Sequence, residues 1–93
     1  MALTNKRAGQ QMCEVRERIG LTMRDVQRLT KQIAKSLRNR GYIVAPSRLS
    51  DIEAKGQTPN LYRLHALALA YKCPVAKLLK FYGIVDRRSG RNV

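Results

Sequence analysis

The chain has 93 residues, the length of one small domain, and 44% of them are hydrophobic, which is enough to build a folded core. Nineteen Lys and Arg residues against six Asp and Glu leave a net charge of +13, which favours a polyanionic partner. Nucleic acid is the first candidate, an anionic membrane the second, and a merely soluble basic domain the alternative. No apolar run reaches the roughly 20 residues of a membrane span, and the first residues lack the apolar segment of a signal peptide. We therefore expect a cytoplasmic, nucleoid-associated protein with reduced thiols.

Hydrophobic periodicity predicts two helices in the first half of the chain. The first runs from about Gly9 to Ile19 and ends at Gly20, which can adopt the left-handed conformation. The second begins after Thr22, which forms a capping box with Asp25, and extends as far as Gly41. The predicted apolar stripes are Ala8, Met12, Val15 and Ile19 in the first helix, and Val26, Leu29, Ile33 and Leu37, flanked by Thr30 and Ala34, in the second.

The second half of the chain predicts an extended link and three further helices. The segment "YIVA" is apolar and β-branched, and Pro46 then opens a third helix that ends at Gly56. A loop with Pro59 and Asn60 precedes the fourth helix, and the fifth covers about Pro74 to Phe81. The predicted inward residues are Leu49 and Ile52 in the third helix, Leu61, Leu64, Leu67, Ala68 and Tyr71 in the fourth, and Val75, Leu78 and Leu79 in the fifth.

Five helices and no convincing strand predict an all-α domain over residues 9–82. Residues 1–8 are expected to form a flexible basic arm, and residues 83–93 a basic, disordered tail.

Three segments, taken in order, resemble the helix-turn-helix domain of the XRE family, which includes the lambda and Cro phage repressors. "VRERIGLT" (15–22) is similar to the end of the family's first helix, and "LSDIEAKGQTPN" (49–60) to its recognition helix and the following loop. "LHALALAYKCPVAKLL" (64–79) is similar to its closing pair of helices. The resemblance covers roughly residues 10–82 and implies a five-helix, lambda-repressor-like DNA-binding fold.

One departure from the family lies in the second helix. Thr22 and Glu53 are 31 positions apart, more than is usual in the family, and Gln27 stands where the family has Ala. The additional residues, "KQIAKSLRNRGYIV", keep a helical period, so we interpret them as about three extra turns of the second helix and a longer link. The resemblance therefore implies an elongated helix 2.

The family resemblance implies that the helix of residues 46–54 enters the major groove. With Leu49 and Ile52 inward, helical geometry turns the polar residues between them outward. Arg suits guanine, Ser can donate or accept, and Asp can accept from cytosine, while Lys55 and Gln57, which follow the helix, are placed for phosphates. The alternative is an ordinary polar helix face. The candidate residues are Ser47, Arg48, Ser50, Asp51, Lys55 and Gln57.

Two further groups of residues accompany this helix. Thr22, Met23 and Arg24 open the second helix, whose free N–H groups suit a phosphate, although Thr22 can serve simply as a cap. The resemblance implies an ion pair between Arg16 and Glu53 that orients the third helix; the alternative is two independent surface charges.

A basic row follows one face of the predicted second helix at spacings of four, three, four and three. We expect it to meet a polyanion, with the DNA backbone first, an acidic protein partner second and plain solvent as the alternative. Its residues are Arg24, Arg28, Lys31, Lys35 and Arg38.

Catalytic, metal and cofactor chemistry is not expected. His65 has no second His and no paired carboxylates near it in the sequence, and it is predicted to face solvent. Cys73 corresponds to a core position of the family, and Cys13 is predicted to be half exposed. The family resemblance implies a non-enzymatic transcription regulator of bacterial or phage type, which binds double-stranded DNA as a homodimer. The expected dimer surface involves the fifth helix and the tail. The alternatives are a non-specific nucleic-acid-binding or bridging factor and an antitoxin-like interaction module.

Overall fold

The computed structural model describes residues 4–85. Within that range five α-helices and one short 3-10 turn follow one another without a strand, and the all-α prediction is confirmed. Thr4 and Gln57 form a single isolated antiparallel bridge. The first three residues of the predicted arm, and the predicted tail from residue 86 onwards, lie outside the described residues. The elements are α1 (Lys6–Ile19), α2 (Met23–Leu37), the 3-10 turn (Arg40–Tyr42), α3 (Pro46–Ala54), α4 (Leu61–Ala70) and α5 (Val75–Phe81).

Every α-helix contributes at least one buried apolar side chain to a single core, and the link before α3 contributes another. Full burial of an aliphatic side chain of this size stabilises a fold by about 1.5–3 kcal/mol, so these few residues account for much of the driving force. The largest fully buried apolar side chains are Met12, Val26, Val44, Leu49, Ile52, Leu67 and Leu78.

The predicted apolar stripes extend too far at the helix ends. Ile19, Leu37, Leu61 and Val75 are 47%, 49%, 80% and 38% exposed, because each is the first or last residue of its helix and projects past the core. In α2 the buried face is Val26, Thr30 and Ala34, while Leu29 and Ile33 are half-buried. The buried stripe of α2 is thus narrower than predicted and includes a threonine.

Helix α1 begins three residues earlier than predicted, so residues 6–8 belong to the helix and not to the arm. The reason is the side chain of Asn5, which caps α1 by accepting a hydrogen bond of 3.0 Å from the Ala8 backbone N–H. The end of α1 at Gly20, with φ 89°, and the capping box of Thr22 and Asp25 at α2 are confirmed.

Helix α2 has 15 residues and ends at Leu37, before the predicted stop at Gly41. Arg38 takes the left-handed conformation instead, with φ 54°, and its N–H bonds to carbonyl oxygens of the last turn. Gly41 lies inside the 3-10 turn, which is capped by Asn39. The predicted extended link is therefore shorter than "YIVA", since Tyr42 belongs to the turn.

The link into α3 is anchored on α2 by one buried threonine. The Val44 N–H donates to Thr30 Oγ1 at 3.0 Å, and that hydroxyl donates to the Val26 carbonyl at 2.8 Å. Val44 itself is fully buried. Because its backbone and its side chain are both held, the point at which α3 begins is fixed relative to the middle of α2.

Helices α1 and α3 approach so closely that one position admits only glycine. A Cβ atom built on Gly9 would lie 2.6 Å from the carbonyl oxygens of both Ile52 and Glu53. At the other end of the contact, the Asn5 N–H donates to the Gly56 carbonyl at 2.6 Å, and Gly56 has φ 71°. The N-terminal half of α1 thereby holds the C-terminal half of α3.

Candidate nucleic-acid interface

The outward face of α3 is polar and its inward face is fixed in the core. Ser47 and Arg48 are exposed, Ser50 and Asp51 are half-buried, and the apolar side chains of Leu49 and Ile52 are buried. Within residues 4–85 Arg48 takes part in no ion pair, so its guanidinium group faces water with its donors uncommitted. This face presents a guanidinium group, two hydroxyl groups and a carboxylate on one helix.

Asp51 forms an ion pair with Lys55. Lys55 Nζ lies 3.4 Å from Asp51 Oδ1, one helical turn away, and the lysine side chain is 74% exposed. An exposed pair of this kind contributes only about 0–1 kcal/mol, so Lys55 can exchange the carboxylate for another anion at little cost. Gln57 is exposed too, and its backbone N–H donates to the Asp51 carbonyl at 3.0 Å.

Arg16 and Glu53 form a buried, two-pronged ion pair between α1 and α3. Arg16 Nε lies 2.8 Å from Glu53 Oε2, and Nη2 lies 3.0 Å from Oε1. The third nitrogen, Nη1, donates to the Leu21 carbonyl at 2.8 Å, in the loop that precedes α2. The hydrogen bond with Glu53 raises the pKa of Arg16 above its already high value. One guanidinium group therefore joins α1, the loop before α2 and the C-terminal half of α3.

The start of α2 has fewer free backbone N–H groups than its sequence suggests. The Thr22 hydroxyl accepts from the Asp25 N–H, and the Asp25 carboxylate accepts from the Thr22 N–H, at 3.1 and 2.9 Å. The hydrogen bonds with Thr22 are the largest cause of a lowered pKa of the Asp25 carboxyl group. Met23 is half-buried and Arg24 is exposed, and their backbone N–H groups have no partner within the helix. Any phosphate at this end would bind these two N–H groups beside the Asp25 charge.

All five residues of the basic row are exposed, but only four of them lie on α2, because Arg38 follows the last residue of the helix. Arg28 bonds to Asp25 Oδ1 at 3.1 Å, whereas the other four form no ion pair within the described part of the chain. The sequence reasoning missed Arg40, which lies beside the C-terminal end of the row. The signal was present in the run "RNRG", but it depended on how the chain turns at Arg38.

Other polar residues outside α3 add no obvious chemistry. His65 is exposed as predicted, and its Nδ1 lies 2.7 Å from the Tyr42 hydroxyl. Burial raises the pKa of the thiols of Cys13 and Cys73. In the range 4–85, no three His, Cys, Asp or Glu side chains are grouped so as to hold a metal ion. Nor is any helix in this range long and apolar enough to cross a membrane.

No protein-family model, no characterised protein and no solved structure matches the chain. The function must therefore be inferred from the charges, contacts and exposure of its own residues.

Proposed function

We propose that the protein is a sequence-specific DNA-binding transcription regulator with a lambda-repressor-like fold, in which α3 enters the major groove. The observation that carries the proposal is the difference between the polar outward face of α3 and its buried inward face. Its outward face presents Arg48 and Ser50, while Leu49, Ile52 and Glu53 fix its other face on the core and on Arg16. A helix about 10–12 Å across fits a major groove about 12 Å wide, and the contacts of its inward face determine which side chains point outward.

Each candidate residue has a chemical role in this proposal. Arg48 donates two hydrogen bonds to O6 and N7 of guanine, and Ser50 donates to or accepts from a base edge. Asp51 accepts from cytosine N4 after its exposed pair with Lys55 opens, and Lys55 then binds a phosphate. Ser47 and Gln57 contact the backbone on either side, as do Thr22, Met23 and Arg24 at the positive end of α2.

A homodimer is part of the same proposal. Two copies of α3 in a dimer read half-sites one helical turn apart, about 34 Å, on a near-palindromic operator. Support for an interface at α5 comes from apolar side chains left uncovered there: Val75, Ile84 and Val85 are 38%, 55% and 59% exposed. The proposal involves no catalytic step, metal or cofactor.

Non-specific nucleic-acid binding is the second candidate function. The net charge of +13 and the exposed basic row favour it, because counterion release alone drives such binding. It would need no particular side chains on α3.

The test is selection of bound duplexes from a random DNA pool. We expect the selected duplexes to share a motif made of two inverted half-sites. A pool that stays random after selection would contradict sequence-specific reading and favour the second candidate. Co-purification of a stoichiometric acidic protein, together with a random pool, would instead favour the interaction module.

A further inference from the structure

A basic cleft of about 420 Å³ opens beside the C-terminal half of α2, where the chain turns into the 3-10 turn. Four of the residues that line it are cationic: Lys31, Lys35, Arg38 and Arg40. All four are exposed, and within residues 4–85 none of them lies within ion-pair distance of a carboxylate. The cleft therefore gathers four uncompensated positive charges in one concave place.

Repulsion among these four charges destabilises the folded protein when no anion is bound. Lys31 and Lys35 are four residues apart on one helix face, a spacing at which like charges repel. A cleft lined by charges of one sign also concentrates their field, which attracts counterions more strongly than a flat surface does. An anion bound in the cleft relieves the repulsion between these charges.

The backbone conformation at Arg38 shapes the cleft. Arg38 ends α2 in the left-handed conformation, with φ 54°, at a position where glycine is usually favoured. An L-residue with a side chain is strained there, whereas glycine is not. The chain nevertheless places at this position an arginine that lines the cleft. The same turn brings Arg40 to the lining, so the left-handed residue helps to gather the four cations in one cleft.

The rest of the lining indicates which kind of anion fits. It contains no aromatic side chain on which a base could stack and no carboxylate that could bind a cation; the other residues are Ala34, Asn39 and Ile43. Lys31 and Arg38 are separated by about 10 Å along the helix axis, whereas each strand of a duplex carries one charge per about 3.4 Å of the duplex axis. The cations are thus spread widely enough to meet several phosphates of one backbone.

We propose that the basic cleft is a second phosphate site, which binds the phosphodiester backbone of duplex DNA outside the base pairs read by α3. The connection between the two sites is short: Arg40 precedes Pro46 by six residues, which span at most about 22 Å. The site contributes affinity and salt dependence without contributing sequence preference. In taking duplex DNA as the ligand, this inference rests on the proposed function.

The first experiment compares two triple variants that remove the same number of charges. The cleft variant is Lys31→Gln, Lys35→Gln and Arg40→Gln; the control variant is Arg18→Gln, Lys72→Gln and Lys77→Gln, three exposed cations that do not line the cleft. Affinity is measured against salt concentration on the selected duplex and on a scrambled one. We expect the log–log slope of the cleft variant to be shallower by about 0.9 for each phosphate that it no longer neutralises, equally on both duplexes, while the control keeps the parental slope.

The outcomes separate this inference from the proposed function. A parental slope in the cleft variant, or an equal reduction in both variants, would overturn the cleft as a site, and so would a reduction confined to the selected duplex. If the parent has no sequence preference but only the cleft variant has a shallower slope, the phosphate site stands and specific reading fails. If the parent binds neither duplex, both fail.

A second pair of variants separates binding from folding. Arg38 and Lys72 are the two described non-glycine residues with positive φ, 54° and 55°, so Arg38→Gly and Lys72→Gly remove one charge each and relieve the same strain. Both variants should melt at a higher temperature than the parent, but only Arg38→Gly should have a shallower salt slope, by about 0.9. Equal slopes in the two variants would exclude Arg38 from the site.

Discussion

The guanidinium group of Arg16 binds both carboxylate oxygens of Glu53, with side chains only 11% and 4% exposed. The same group reaches the Leu21 carbonyl, so the pair fixes α3 against both α1 and the start of α2. The structure thus holds the candidate reading helix through a charge pair and not through apolar contact alone.

Breaking this pair should unfold the domain readily. Glu53→Ala leaves a buried guanidinium without its partner and should lower the free energy of unfolding by about 3–5 kcal/mol. In a double-mutant cycle with Arg16→Ala, measured by denaturant unfolding, the interaction energy should lie between about 0.5 and 3 kcal/mol. Additive effects of the two substitutions would show that the charges act independently.

Gly9→Ala should destabilise the protein although alanine favours helices. In an open helix this change stabilises by about 0.5–1 kcal/mol, but here the new Cβ meets the Ile52 and Glu53 carbonyl oxygens and forces the helices apart. We expect a net destabilisation of about 1–3 kcal/mol in thermal or denaturant unfolding. Gln10→Ala, on the exposed side of the same helix, is the control and should be neutral or stabilising. A stabilised Gly9→Ala protein would contradict the close approach of α1 and α3.

Local signals in the sequence were sufficient for α3, and the expected ion pair between Arg16 and Glu53 is confirmed, but the close approach of α1 to α3 was missed. The bounds of α3 and its two apolar anchors were predicted correctly, because Pro46 opens the helix and Gly56 follows it. The role of Gly9 was missed, since a close approach between distant segments leaves only an isolated glycine in the sequence. The start of α1 was missed as well, although an Asn at position 5 is a favoured cap.

Relief of backbone strain should stabilise two positions. Arg38→Gly and Lys72→Gly should each raise the free energy of unfolding by up to about 1 kcal/mol, because glycine accepts the left-handed conformation without steric conflict. Thermal unfolding of each variant measures the effect. A lower melting temperature in both would mean that the side chains contribute more than the backbone strain costs.

The turn at Arg38 also explains why the basic cleft could not be predicted. The sequence favoured Gly41 as the stop of α2, because glycine is the usual residue with positive φ. The earlier turn brings Arg40 beside Lys31 and Lys35, a proximity that depends on one unusual backbone conformation. Helical periodicity was sufficient for the four members of the basic row that lie on α2, whereas Arg38 was wrongly placed on the helix; all five members are exposed.

Both thiols should be slow to react. Burial, and for Cys13 also the nearby Glu53 carboxylate, raises the pKa of each thiol above its ordinary value. The folded state therefore keeps the thiols neutral, and the stability this provides is complete below the ordinary thiol pKa and is lost as the pH rises through the raised value. We expect alkylation by iodoacetamide to accelerate at a higher pH in the native protein than in the same protein unfolded in urea. A native thiol that reacts as a thiolate at neutral pH would point to a redox role.

The central claim is that α3 reads base pairs, and Arg48 tests it most directly. We predict that Arg48→Ala weakens binding to the selected duplex by about 1–3 kcal/mol, with Ser50→Ala acting in the same direction, and leaves binding to a scrambled duplex nearly unchanged. Lys72→Ala, which removes one charge at an exposed site away from α3, controls for net charge and should preserve the ratio of the two affinities. The decisive quantity is that ratio, measured at one salt concentration with the helical content checked by circular dichroism. A ratio that falls in Arg48→Ala supports base reading by α3. Equal weakening on both duplexes, in a protein that remains folded, would contradict it.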